Sequence, residues 1–330
     1  MHFRVKSSGQ VRIRGDISPG PRAPICGETV LATKLLTRTL ASASTDLSQR
    51  LTPMNSRCCE VPLHDGAASL DELLLVERHH AEAIRAESAA PAVEVHLDKD
   101  VTWMVHPGST WRNAGILLRL SSASASRRLD TLLKRYQRHG RGMGLWVSPL
   151  ATPHNLTRLL AERGLRCKKQ FPAMVRSLGD TVAEHHDYRN VSVRRIRDLA
   201  PFDSLPHPAI GPVTTQIRHH EWDRLRALVS EESQRTRAYV AWIAETPVGA
   251  IELFLGTDAA GVHGLNVLQA WQDRGVASAL LEHVCREASE AGYSSLVLLA
   301  SSDGHRLYAR RGFREVGRIG YWYRSFQRGR

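Results

Sequence analysis

LNVLQAWQDRGVASALLEHVCREA, residues 265–288, runs from a strand through a glycine turn into an amphipathic helix. The strand is expected over 263–268, and the hexapeptide QDRGVA (272–277) separates it from the helix. A glycine and small residues here fall where the first backbone N–H groups of a helix have no intrahelical partner. Those amides and the positive end of the helix dipole favour a phosphate-bearing ligand. Gly275 lets the backbone approach that ligand closely, Ala277 leaves room for a diphosphate, and Arg274 adds a cation. Alone, a Gln/Arg-x-x-Gly-x-Gly/Ala pattern is common, and it is the strand before and the helix after that give it weight.

Thirty-three residues past Gly275, HRLYARRGF (305–313) places Tyr308 on a short helix that ends at Gly312 and leads through Phe313 into another strand. Together with VLQAWQDRGVASALL, this segment resembles the GNAT superfamily of acyl-CoA N-acyltransferases, specifically over 237–326 and more loosely over the rest of the second half. The resemblance implies acetyl-CoA as co-substrate. Its pyrophosphate would lie on Gln272, Asp273, Arg274, Gly275, Val276 and Ala277, and its pantetheine arm would pair with Leu265, Asn266 and Val267. The backbone N–H of Val267 would be the oxyanion donor. Gln269 stands where many members carry Pro, and Ser301 stands at the usual Asn position before the last helix, which weakens that contact.

Attack on a thioester needs a free amine, a donor for the oxyanion and a proton for the departing thiolate. A tyrosine with a reference pKa of ~10 suits the last task, since a thiolate of reference pKa ~8.5 takes its proton only as charge develops on sulfur. Tyr308 is therefore the expected acid. Two candidates stand for the general base. Glu252 would need burial to raise its pKa, whereas His263 has the more convenient ordinary value near ~6.5; Glu252 is slightly preferred because family members often draw an acid from these central strands. Cys285 falls on the apolar helix face and reads as core, which fits direct transfer rather than an acyl-enzyme.

The pattern occurs twice. GLWVSPLATPHNLTRLLAERGLR (144–166) matches SSLVLLASSDGHRLYARRGFR (294–314) with Gly164 on Gly312, and ASASRRLDTLLKRYQRHG (123–140) matches GVASALLEHVCREASEAG (275–292). In the first copy Ala123 stands at the position of Gly275, Ala125 at that of Ala277 and Leu160 at that of Tyr308; its loop, SSASAS, has lost the Gln and the Gly, so that copy lacks the phosphate loop and the acid. The expected fold is α/β (α+β): GNAT-like, a mixed central sheet flanked by helices, in two tandem lobes. A poorly ordered extension (1–60) would precede a degenerate lobe (68–180) and a catalytic lobe (188–330), with the acceptor bound between lobes.

At 330 residues and 42% apolar content the chain is long and apolar enough for two cores. Its formal charge of +12 divides into +9 up to Asn190 and +3 after it. No basic block or nucleic-acid-binding motif accompanies the charge, so a nucleic-acid partner is not expected. Five cysteines without a C-x-x-C pair fit a reducing compartment. With no signal peptide or spanning segment in the pattern, a cytoplasmic protein without a membrane partner is expected, as monomer or homodimer. The adjacent pairs His79–His80, His185–His186 and His219–His220 do not suit a metal, because neighbours on a helix point ~100° apart; no metal is expected. The acceptor would be a small-molecule or peptide amine; the cluster RHHEWDRLR (218–226) reads first as an exposed helix face and second as a contact for an acidic acceptor. Alternatives are a tandem acetyltransferase similar to mycothiol synthase and an acyl-CoA-binding sensor without turnover.

Overall fold

The structure, a computed structural model, describes residues 67–90, 93–106, 113–140, 142–179, 188, 190–196, 227 and 235–326. The expected extension (1–60) and the cluster at 218–226 lie outside these residues. The described residues form eleven strands, in one mixed sheet, and five α-helices. In chain order the strands are β1 (Glu94–Leu97), β2 (Thr102–Val105), β3 (Ala114–Ile116), β4 (Met143–Val147), β5 (Arg166–Ser177), β6 (Val191–Ile196), β7 (Thr236–Ile243), β8 (Thr246–Leu255), β9 (Ala260–Val267), β10 (Ser295–Leu299) and β11 (Arg314–Arg324). The helices pack on the sheet: α1 (Ala67–Ala86), α2 (Ala125–Arg138), α3 (Leu156–Glu162), α4 (Val276–Glu290) and α5 (His305–Arg310).

The repeat is visible in the element order, because β3–α2–β4–α3–β5 and β9–α4–β10–α5–β11 follow the same course. The two glycines aligned in sequence are equivalent in conformation: Gly164 has φ +77° and Gly312 φ +79°, the left-handed region where a helix-ending residue without Cβ is favoured. Leu129, Leu132, Leu133 and Tyr136 of α2 are buried on one face, as are Val276, Leu280, Val284 and Ala288 of α4, in keeping with their helical spacing.

The sheet order is β1-β2-β3-β4-β11-β5-β10-β9-β8-β7-β6. The two halves therefore exchange their last strands. β5, which ends the first half, pairs antiparallel with β10 of the second, while β11, which ends the second, lies between β4 and β5 and pairs antiparallel with both. Side-chain alternation along these central strands feeds separate cores on the two faces. Met174, Leu296 and Leu298 join the core beneath α4 and α5, whereas Ala173, Val175 and Val297 face the opposite side. There α1 crosses the middle of the sheet, burying Leu73, Val76, Ala81 and Ile84 against Trp146, Ile319 and Tyr321. The core under α2 and α3 belongs to the first half and takes in Trp322 from β11.

An ion pair between a buried carboxylate and a half-buried guanidinium fastens α1 to the first half. Glu77 is fully buried and receives Arg119 at 2.5 Å and the Ser148 hydroxyl at 2.9 Å. Among the described residues no helix is long and apolar enough to cross a membrane.

Candidate active site

Parallel strands β9 and β10 are paired only at Ala260–Leu296 and Gly261–Val297. Beyond Gly261, β9 keeps its partner β8 on one side, up to the Val267–Gly249 pair. Its other edge diverges from β10. The Leu268 N–H bonds the Val248 carbonyl at 2.9 Å, so the two-residue alternation turns the N–H and C=O of Val267 the other way, into the divergence. The Gln272 side-chain amide reaches the Val267 carbonyl there, donating at 3.2 Å, and ties the end of β9 to the glycine turn. Leu265 is half-buried against the core of this half, and Asn266 lies opposite Ala250 of β8.

The turn itself is strained into shape. Asp273 has φ +58°, and Gly275, the N-cap of α4, has φ +81°. A Cβ on Gly275 would lie 3.0 Å from the Tyr188 ring, so backbone conformation and space both demand glycine. Arg274 places its guanidinium 5.1 Å from the centre of the Trp271 ring. Val276 and Ala277 open α4, where N–H groups have no partner within the helix. This concavity of glycine and free amides suits a diphosphate.

Between the diverging strands lies a cavity of about 140 Å³. Its walls are Val262, His263 and Gly264 of β9, residues 297–299 of β10, and Tyr308 of α5. The far wall comes from the first half: Val76, His79 and His80 of α1, Trp146 of β4 and Phe171 of β5. Tyr308 packs edge-on against Phe313 with centroids 5.7 Å apart, and its burial pushes the phenol well above its ordinary value. It stays protonated through the neutral range.

Glu252 and His263 are direct cross-strand neighbours on β8 and β9 and share a face of the sheet. Glu252 is buried, while His263 is half-exposed and lines the cavity. Ser301 stands just before α5, where its hydroxyl accepts at 3.0 Å from the N–H of Gly304, the N-cap residue of that helix. Cys285 is buried in the core under α4, and burial pushes its thiol up to about 11. The structure thus gathers Tyr308, His263 and Glu252 at one end of the divergence. Val267 and residues 272–277 lie at the other, and Ser301 sits at the start of α5.

His79 is the neighbour that sequence reasoning missed. Spacing arguments about histidine pairs test only for a metal, and among the described residues no group of three or more ligating side chains could hold one. The overlooked signal was position: His79 follows Val76 by three residues on the face of α1 that meets the sheet. Its ring occupies space left by Gly261, where a Cβ would come within 2.0 Å of Nε2.

Residues 198–313 match the family model described as acetyltransferase (GNAT) family. Among solved structures, the chain is similar to a GCN5-related N-acetyltransferase from Kribbella flavida at 15% identity, covering 74% of this chain and 94% of that one with a TM-score of 0.54. A functionally unknown conserved protein from Staphylococcus epidermidis ATCC 12228 follows at 15% identity, 70% and 93% coverage and a TM-score of 0.50. A tandem GNAT protein from the clavulanic acid biosynthesis pathway is 14% identical over 82% of this chain and 98% of its own, with a TM-score of 0.48. No curated protein matches the sequence.

Proposed function

From the match of residues 198–313 to the acetyltransferase (GNAT) family model, we propose that this protein transfers an acetyl group from acetyl-CoA to a primary amine by direct attack on the thioester. One observation carries the reading: β9 and β10 part after two residue pairs and leave a cavity lined by both His263 and Tyr308, with Val267 aimed into the opening. The second half, 188–330, is the catalytic lobe, and the first, 68–180, is a degenerate copy that walls the acceptor side.

The residues divide the work by position. The turn at 272–277 holds the diphosphate through backbone N–H groups and Arg274. The free edge of β9 at 265–267 pairs with the pantetheine arm as an added strand would. His263 takes a proton from the acceptor ammonium, and Glu252 beside it favours the imidazolium that results. The amine nitrogen then bonds to the carbonyl carbon while the oxyanion rests on the Val267 N–H. As the C–S bond breaks, the electron pair stays on sulfur, Tyr308 supplies the proton, and the proton that the attacking nitrogen loses on becoming an amide restores the phenol. The structure favours His263 over Glu252 as the base because it is the one that borders the cavity.

The test is calorimetric titration of acetyl-CoA into the full chain and into Gly275→Asp, followed by a thiol-release screen over a panel of amines. A single site abolished by Gly275→Asp, with turnover on some amine, supports the transferase. Binding without turnover on any amine points to a sensor, and absence of binding sinks both readings.

A further inference from the structure

α1 belongs to the first half, yet it delivers an imidazole to the cavity. His79 Nδ1 lies 3.2 Å from the Ala259 carbonyl, and His79 Nε2 lies 3.3 Å from His263 Nε2. A carbonyl oxygen can only accept, so Nδ1 must carry the hydrogen. A neutral imidazole has only one, which leaves a lone pair at His79 Nε2. That lone pair faces His263, so His263 must present Nε2–H, and its own lone pair is placed on Nδ1.

Resting on the transferase reading above, we propose that His79 is a positioning residue that fixes the tautomer of His263 and stabilises its protonated form, so that the degenerate half of the chain completes the base of the active half. The chain of bonds is Ala259 C=O···H–Nδ1 of His79, then Nε2···H–Nε2 of His263. When His263 Nδ1 takes the proton of the acceptor, the Nε2–H bond to His79 strengthens because its donor becomes cationic.

The surroundings agree. Burial pushes the His79 pKa down to about 4, with Ala259 and Glu82 opposing and Arg235 assisting, so it stays neutral. The other titratable groups facing the pair are His80 of α1, with its ring centre 5.9 Å from that of His263, Glu252 of β8, and Tyr308 of α5 across the cavity. Two glycines make room for the arrangement: a Cβ on Gly256 would lie 2.8 Å from His79 Nδ1, and one on Gly261 would overlap Nε2. Phe254 braces the ring edge-on at 5.4 Å.

The first experiment uses the unmodified full chain. Nitrogen-15 NMR of the histidine rings should find His263 as the Nε2–H tautomer and His79 as Nδ1–H; His263 as Nδ1–H overturns the proposal whether or not the protein turns over. Next, His79→Leu should lower kcat by roughly 10- to 100-fold and move the acidic limb of the kcat profile down by about one pH unit, with KM for acetyl-CoA unchanged. His79→Gln, which returns an acceptor near the Nε2 position, should recover most of both effects. An acidic limb left in place by His79→Leu, or no difference between Leu and Gln, overturns the proposal. If no amine supports turnover, the transferase reading fails, while the tautomer measurement still decides the histidine pair.

Discussion

The two halves of the chain open their parallel strands in the same way and finish differently. β3 and β4 pair only at Ala114–Gly144 and Gly115–Leu145, just as β9 and β10 pair at two positions. In the first half the gap is then closed from within. The segment after β4 turns back so that Thr152 N–H bonds Leu118 C=O at 3.0 Å and Leu120 N–H bonds Thr152 C=O at 3.1 Å. Leu160, at the position of Tyr308, is fully buried. At the start of α2 the N–H groups of Ser124 and Ala125 both turn onto the Ser121 carbonyl, at 3.0 and 2.8 Å. Among the described residues no such backbone bonds close the corresponding edge and helix start of the second half. On the function proposed above, a shared backbone plan becomes a binding site only where its own hydrogen-bonding groups are not already used.

The largest test of that contrast is to separate the halves. A chain of residues 188–330 lacks α1, β4 and β5, so β10 loses one partner strand and β11 loses both; it should show no cooperative thermal transition by circular dichroism. A cooperative melt would mean that the exchange of strands is dispensable. Next in size, Gly275→Asp should weaken acetyl-CoA binding by at least ~100-fold in calorimetry, because it sets bulk and negative charge at a positive-φ helix start. The change at the aligned position of the first half, Ala123→Asp, should leave binding unaltered. Arg119→Met strands the Glu77 carboxylate and should cost about 3 kcal/mol in urea unfolding.

Tyr308→Phe should lower kcat by roughly 10- to 100-fold while the acetyl-CoA dissociation constant stays within about twofold. Smallest is a pH effect. With its pKa pushed down to about 4 from the ordinary 6.5, folded His79 stays neutral where the unfolded chain is protonated. Its contribution is therefore complete above pH 6.5 and declines as pH falls toward 4. Between pH 7 and 5.5 it should remove about 1 kcal/mol of stability, a slope that His79→Leu abolishes.

Much of this contrast was legible beforehand. The repeat placed Leu160 against Tyr308 and Ala123 against Gly275, and helical spacing in α2 and α4 assigned their buried faces. The period of a side-chain pattern reports which face of an element is apolar, and it does so locally. It carries no information about which strand lies beside which, so the insertion of β11 between β4 and β5 was not foreseen. The same limit hid the meeting of His79, Trp146 and Phe171 with His263 and Tyr308, which the crossing of α1 over the sheet brings about. For the base, sequence slightly favoured Glu252 over His263; in the structure the two are opposite one another on neighbouring strands and His263 is the one that borders the cavity.

The placement of β11 bears on how the chain is made. β5 is synthesised more than a hundred residues before its partner β10, and the slot between β4 and β5 is filled by Arg314–Arg324, the last strand of the described chain to leave the ribosome. Until then two strand edges stand open in the middle of the nascent sheet, each able to recruit a neighbouring chain. A premature stop before Arg314 would therefore yield a chain prone to aggregation, and chaperone demand should be concentrated in the final moments of synthesis.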